Sequence, residues 1–412
     1  MKKLFLFLVS LLIFFSCEDE YDSVYTNEYS SYRDYPVYYD ASDILVDVQV
    51  TPPVNPVLPY KIASNDKYLF VGEMMKGIHV YEKTGYHTDR LLPLCFIECK
   101  LSKAFDIIDD ILFCNNFTDM LVINVSNPRQ ATIMHRQKNH FNNYHSYASD
   151  WSFPYKETEG YVVGYKPFRV IISSTGETTD PEFSEADNMF LKEMPLSLIN
   201  NAETSKPYVG IVRYGKEIYT LGKLSSWAIC TYDEKFKVTE RTYWNNQEKG
   251  FPFFSYFGND PFYKLFIRDG VMSVINTNYI LSGGYSNSRV DYYLFDDETP
   301  IDVTVNAQNL FFILTKNRIR KTFIDYDYNE HKTEYLITPG AVAITCAQDK
   351  IITLGDKLLV YDDTDSTLTV VKEYPDIAGL CMVKENEVLT IANSKGVFFY
   401  DISDVNDIKI IP

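Results

Sequence analysis

A single phrase recurs along this chain from residue 60 to its C-terminus: an apolar run, a polar turn, a second apolar run, another turn, and a run ending near Tyr-Asp or Val-Ser. Its clearest copy closes as Asp119-Met120-Leu121-Val122-Ile123-Asn124-Val125-Ser126-Asn127-Pro128. The second runs fall around Leu69, Leu112, Ile218, Val271, Leu310, Ile351 and Val388, most of them about forty residues apart. The long step from Leu112 to Ile218 is one repeat plus an insertion at about residues 138–206. Third runs follow most copies, as in Gly77-Ile78-His79-Val80-Tyr81 and Leu358-Leu359-Val360-Tyr361-Asp362. Those of the fourth and fifth copies, near 279–281 and 319–324, match poorly.

Nearly continuous apolarity in the good runs means that both faces of each sheet are covered, which an isolated meander cannot achieve. Stacking one small sheet on the next around an axis does. No helical period separates the copies, which argues against a helical solenoid and a parallel α/β sheet. The 33 Tyr and 27 Phe, against 18 Gly and 18 Pro, also favour aromatic-rich strands. The expected fold is all-β: a β-propeller of seven four-stranded blades with one long insertion. Six or eight blades stay open, because residues 161–172 read as a degenerate blade if their two apolar runs pair with each other and join the ring. The insertion also offers Asp180-Pro181-Glu182 as a helix start.

Residues 1–16 have signal-peptide form, with Met1-Lys2-Lys3 ahead of an apolar run from Leu4 to Phe15 that is too short to span a bilayer comfortably. Ser16-Cys17 closes the run, and here the stretch resembles a bacterial lipoprotein signal. The resemblance implies cleavage before Cys17, diacylation of its sulfur and acylation of the new amino group. An ordinary secretory signal with an incidental cysteine is the alternative. Residues 17–54 read as a lipidated tether rich in acid and Tyr, without helix or strand period up to residue 43, then an alternating strand over 44–50 and a break over 51–56. The propeller occupies 55–412.

Four phrases together are specific: Lys76-Gly77-Ile78-His79-Val80, Phe105-Asp106-Ile107 ahead of Asp110-Ile111-Leu112-Phe113, the Asp119 to Pro128 phrase, and the terminal Gly396-Val397-Phe398-Phe399-Tyr400-Asp401-Ile402-Ser403-Asp404. In them the chain resembles the LVIVD-repeat β-propeller family, in particular its Bacteroidetes lipoprotein branch. Cys17-Glu18-Asp19-Glu20-Tyr21 and Tyr35-Pro36-Val37 fit the same branch. The resemblance implies a fold and an address: an outer-membrane lipoprotein in which Glu18, Asp19, Glu20 and Asp22 are the signal for export to the cell surface. A solvated acidic linker is the plainer reading of the same residues. The family has no established catalytic residues to carry over. The usual closing Asp-Ile-Ser-Asn-Pro is absent from the first, third and fourth copies.

The formal net charge of −17 becomes more negative once Lys2 and Lys3 are removed, so nucleic acid and anionic headgroups are disfavoured partners and the lipid is what holds the protein at the membrane. His135, His140 and His145 are spaced by five, which suits neither a helix nor a strand metal site, and no metal or other cofactor is expected. Asp362-Asp363-Thr364-Asp365-Ser366 lacks the sixth-place Gly and closing Glu of a calcium loop and reads as a polar hairpin turn, as does Asp325-Tyr326-Asp327-Tyr328-Asn329-Glu330. Of Cys95, Cys99, Cys114, Cys230, Cys346 and Cys381, most sit singly in apolar runs and read as buried free thiols. Cys95 and Cys99 lie too far apart on one strand to bridge each other. No nucleophile elbow, phosphate-binding turn or zincin helix occurs. Trp151 and Trp244, in the less regular connections, are candidate rim residues for sugar stacking or a protein hot spot. The expected function is a non-catalytic binding or scaffold module for a protein or glycan partner. The alternative is a surface glycan-processing enzyme whose turn carboxylates, of the Asp109-Asp110 kind, converge at the channel mouth.

Overall fold

In the computed structural model each copy of the repeat is a sheet of four strands taken consecutively from the chain. The structure describes residues 45–84, 90–141 and 300–411 apart from short gaps, the strands Tyr29–Tyr39, Tyr161–Ser173 and Gly176–Thr179, and eight strands between 210 and 294.

Sheet 1 comprises Pro59–Ser64, Tyr68–Glu73, Gly77–Thr84 and Arg90–Glu98, with Gln49–Thr51 added as a fifth strand beside the last. Sheet 2 comprises Phe105–Ile108, Ile111–Asn116, Asp119–Asn124 and Thr132–Gln137. Sheet 3 runs Gly210–Tyr214, Glu217–Lys223, Ser226–Tyr232 and Val238–Thr242, and sheet 4 Lys264–Arg268, Val271–Ile275, Tyr279–Gly284 and Val290–Leu294. Sheet 5 holds Asp302–Val305, Phe311–Leu314, Arg318–Ile324 and Glu330–Leu336. Sheet 6 holds Ala343–Ala347, Lys350–Leu354, Leu358–Thr364 and Thr367–Tyr374, and sheet 7 Cys381–Glu385, Val388–Asn393, Gly396–Asp401 and Lys409–Ile411. Every second run of the repeat is the second strand of its sheet and every third run the third, including the poorly matching fourth and fifth copies.

Burial explains the pattern. In sheet 2 the second strand is buried at all six positions and the third at five, whereas the outer strand is largely exposed or half-buried. Side chains such as Phe113 and Leu112 have no exposed surface, and burying each contributes roughly 1.5–3 kcal/mol. Apolar clusters join sheet 1 to sheet 2 (Phe70, Ile97, Phe105, Leu121), sheet 5 to sheet 6 (Phe312, Ile344, Tyr361) and sheet 6 to sheet 7 (Leu354, Leu358, Ile391). A fourth joins sheet 7 back to sheet 1, through Val71, Tyr81, Ala392 and Phe399. First strands of successive sheets lie side by side from sheet 1 to sheet 4, from 5 to 7, and from 7 to 1, so the first strands are the inner ones. Propeller-type stacking follows from the sequence: two covered faces per sheet demand a neighbour on each side.

The third strands end in a local device that the repeat encodes. Asn124 Oδ1 accepts the Ser126 N–H at 2.9 Å, and Asp401 Oδ1 accepts the Ser403 N–H at 2.8 Å, so both copies turn sharply after Asn or Asp. The Ser403 contacts hold the half-buried Asp401 carboxyl below its ordinary range. Between them Val125 and Ile402 drop into the core with almost no exposure.

Two expectations need correction, and one open alternative falls away. Residues 45–48 are not part of the strand expected over 44–50. Only Gln49–Thr51 pairs, and Val46 instead gives its carbonyl to Arg136 Nη2 at 2.8 Å, a side-chain bond in place of a ladder bond. The tether contains an eleven-residue strand, Tyr29–Tyr39, beside Tyr161–Ser173. Its aromatic side chains have no period, but a partner strand supplies main-chain bonds regardless of side-chain pattern, and Tyr suits strands intrinsically. The two apolar runs of the insertion are a single strand, Tyr161–Ser173, paired with Gly176–Thr179. That three-stranded sheet belongs to a compact unit of residues 1–38 and 147–199, separate from the unit of 39–146 and 200–412 that carries the repeats. Among the described residues the repeat unit therefore has seven four-strand copies. The expected helix start at Asp180 lies outside the described residues.

The segment before sheet 1 is fastened by buried charge. Glu73, 2% exposed, accepts the Val57 and Leu58 N–H groups at 2.9 and 2.8 Å and the His79 ring at 3.2 Å, while the other His79 nitrogen faces Val54 O at 3.1 Å. Burial alone raises the Glu73 pKa, but these hydrogen bonds outweigh it and hold the carboxyl below its ordinary 4.5. A depressed folded pKa stabilises the protein above the unfolded value and that contribution disappears as pH falls through the folded one. Unfolding midpoints across about pH 3–6 should therefore drop on the acid side more steeply in wild type than in Glu73→Gln, which starts lower; parallel curves would refute the assignment.

Candidate functional site

Antiparallel pairing places the turns between first and second strands at one end of a sheet and those between second and third at the other. At the first of these ends the inner strands of sheets 5, 6 and 7 stop beside one another and leave a cleft of about 410 Å³. Thr304 and Asn306 line it from sheet 5, Thr345, Gln348 and Asp349 from sheet 6, and Lys384 from sheet 7. Gln348 and Asp349 both have positive φ, 49° and 60°, the conformation a two-residue hairpin turn of this hand requires. That turn is tied down by the Gln348 amide, which donates to Ser403 O of sheet 7. Asn306 is occupied in its own turn, accepting the Gln308 and Leu310 N–H groups at 3.0 and 2.9 Å. The buried Thr345 hydroxyl has no partner among the described residues. Carboxylate, ammonium and hydroxyl groups thus gather at the end of three adjacent strands, chemistry that suits a hydroxyl-rich or mixed-charge ligand.

The same end continues across sheets 7, 1 and 2. Ser64 Oγ donates to Glu385 Oε1 at 3.0 Å, and Asn65 Nδ2 donates to Asp109 O at 2.7 Å. Asp66, Asp109, Asp110, Asp349, Glu385 and Glu387 all lie at this end, interspersed with Lys67, Lys83, Lys350 and Lys384. Deeper, the Asp106 carboxylate receives Lys61 Nζ at 2.7 Å and the Arg213 N–H at 2.9 Å, and Lys61 also reaches Ile211 O at 2.8 Å. Asp302 receives the Ile344 N–H at 2.9 Å in sheets 5 and 6 by the same device. These inner aspartates are ties between sheets. At the opposite end, in the link from sheet 1 to sheet 2, Lys103 is half-buried and loss of hydration lowers its ammonium to about 8.

Sequence candidates are scattered by the fold. His140 is buried and meets Thr220 Oγ1 of sheet 3 at 2.8 Å, whereas His135 sits half-buried on an outer strand; His145 lies outside the described residues. Asp362 pairs with Lys350 at 2.8 Å and Asp363 with Lys321 of sheet 5 at 2.6 Å, so both carboxylates hold strands together. No group of three metal-ligating side chains occurs among the described residues. Cys95, Cys99, Cys114 and Cys381 are buried and Cys346 is half-buried, and none of these five is in a disulfide in the structure. Cys17, Glu18, Asp19, Glu20, Asp22, Trp151 and Trp244 lie outside the described residues. Sequence reading missed Thr345, Asp349 and Lys384. Their only signal is position, at the end of a first run and its following turn.

The comparisons with known proteins carry fold alone. No family model and no curated protein matches the chain. A chain of the mitotic checkpoint complex shares its fold at a TM-score of 0.51 and 8% identity, over 90% of this chain and 94% of that one. Virginiamycin B lyase from Staphylococcus aureus is similar at 13% identity and a TM-score of 0.43, over 85% of this chain and 97% of that one. The extracellular domain of a candidate one-component system from B. thetaiotaomicron gives 12% and 0.43, and although 89% of this chain is covered, it spans only 39% of that one. The stacked four-stranded sheets described above, with the fold shared at a TM-score of 0.51, define the chain as an all-β, propeller-type module.

Proposed function

We propose that this protein is an outer-membrane lipoprotein of the LVIVD-repeat type, lipidated at Cys17 and carried to the cell surface, whose propeller unit is a non-catalytic binding or scaffold module for a protein or glycan partner. The polar cleft between sheets 5, 6 and 7 is the observation that supports a binding role, since it collects hydrogen-bonding groups of both signs at the inner-strand ends. Asp106, Asp302 and Asp363 are consumed as ties between sheets, which favours binding over acid-base chemistry. Trp151 and Trp244 are the aromatic rim residues of this reading, and nucleic acid is not a partner.

The test is protease shaving of intact cells beside lysed cells, followed with an antibody to the 396–411 region. Digestion on intact cells supports surface display, and Cys17→Ala should abolish retention in the membrane fraction. Protection until lysis refutes surface capture. An enzymatic reading is favoured by the carboxylates gathered at the turn end; under it Asp349→Asn or Glu385→Gln removes glycan turnover while leaving capture intact.

A further inference from the structure

Cys99 and Cys114 bring two thiols into contact in the core between sheets 1 and 2. Their sulfurs are 3.6 Å apart, and both side chains are buried, at 2% and 0% exposure. Cys114 belongs to the second strand of sheet 2, while Cys99 opens the link that leaves sheet 1 and enters sheet 2 at Phe105. That link is already fixed at its backbone: the Cys99 N–H donates to Lys76 O at 2.8 Å and the Leu101 N–H to Met75 O at 2.8 Å. The Cys99 thiol also points at Asn115 O, 3.4 Å away. Two sulfurs held this way need to approach by only about 1.5 Å to reach bonding distance, a shift that small rotations about both Cα–Cβ bonds can share.

We propose that Cys99 and Cys114 form a disulfide that locks the link between sheets 1 and 2, made while the chain folds in an oxidising environment. In the reaction both thiols lose a proton, one S–S bond forms, and the two electrons reduce the disulfide of a thiol-disulfide oxidoreductase to its dithiol. The timing has a physical reason. In the folded protein the hydrogen bond with Cys99 and burial both push the Cys114 thiol upward, so the attacking thiolate is suppressed once the core has closed. The inference rests on the export part of the proposed function, which supplies the oxidising compartment, but not on surface display, and it is tested on purified protein.

The full chain without its leader is exported to the periplasm of an expression host, purified, denatured with N-ethylmaleimide and digested with trypsin. The expected product links peptide 91–100 to peptide 104–129, two hydrogens lighter than the pair. Since Cys95 and Cys99 share the first peptide, fragmentation must place the bond on Cys99, and Cys95→Ser must retain it. Alkylation of both Cys99 and Cys114 overturns the proposal, as does a bond through Cys95 or any other cysteine. A second readout follows on the same protein: reductant should lower the thermal midpoint of wild type by several degrees and leave the Cys99→Ala/Cys114→Ala double variant unmoved. An equal fall in both proteins would refute the cross-link.

Discussion

Asn115→Leu should be among the most damaging single substitutions in the protein, lowering stability by about 3–6 kcal/mol. Asn115 has no exposed surface and lies beneath the link from sheet 1 to sheet 2. Its Oδ1 accepts the Lys103 and Ala104 N–H groups, both at 2.8 Å, and its amide donates to Leu101 O at 3.3 Å and Phe117 O at 3.1 Å. Leucine keeps the branching and the number of heavy atoms, though its methyl groups are bulkier, and it leaves two donors and two acceptors of the main chain facing an apolar side chain, at roughly 1–3 kcal/mol for each that finds no replacement. Asn115→Asp separates shape from polarity. It keeps both acceptor contacts, yet turns a carboxylate oxygen toward two carbonyls inside the core, so it should also destabilise strongly. Denaturant melts of the two variants check this; a loss below about 1 kcal/mol in both would mean that water enters and satisfies the link, and would remove Asn115 from its assigned role.

How far the sequence can be read follows from which interactions are local. The third-strand phrase is legible because its parts act on one another within three residues: Asn124 on Ser126, Asp401 on Ser403, with Val125 and Ile402 between them as plugs. The second strands are legible because two covered faces leave an unbroken apolar run. Asn115 is not, since nothing in Cys114-Asn115-Asn116 distinguishes a buried four-bond hub from a polar strand end. The cleft is hidden for the same reason. Thr345, Asp349 and Lys384 come from two sheets and meet only because the inner strands stop together. Asp106 and Asp363 look like solvent-facing charges in sequence, and only stacking gives them Lys61 and Lys321 as partners. The strand at Tyr29–Tyr39 is invisible to periodicity because its partner lies more than a hundred residues away.

Phe399→Ala should cost about 3–5 kcal/mol, and the damage should appear at both ends of the repeat unit rather than at one. Sheet 1 takes its strands from residues 49–98 and sheet 7 from 381–411, so among the described residues neither sheet borrows a strand from the other. Their junction rests on side chains: Ile62, Leu69, Val71 and Tyr81 against Cys381, Ala392 and Phe399, with the Ser64 to Glu385 hydrogen bond above. Many propeller-type folds can recruit a terminal strand for this purpose, and main-chain bonds would then resist opening; here packing must offset the entropy of bringing together segments some three hundred residues apart. Phe399 is 7% exposed and is, with Tyr81, one of two large rings in that cluster, so alanine leaves a cavity at the junction. Hydrogen exchange under native conditions should therefore accelerate together in 68–81 and 388–401, while Phe312→Ala, a comparable loss between sheets 5 and 6, should not single out that pair. Faster exchange confined to sheet 7 would show that sheet 1 holds without it, and that the junction is not the weak point of the unit.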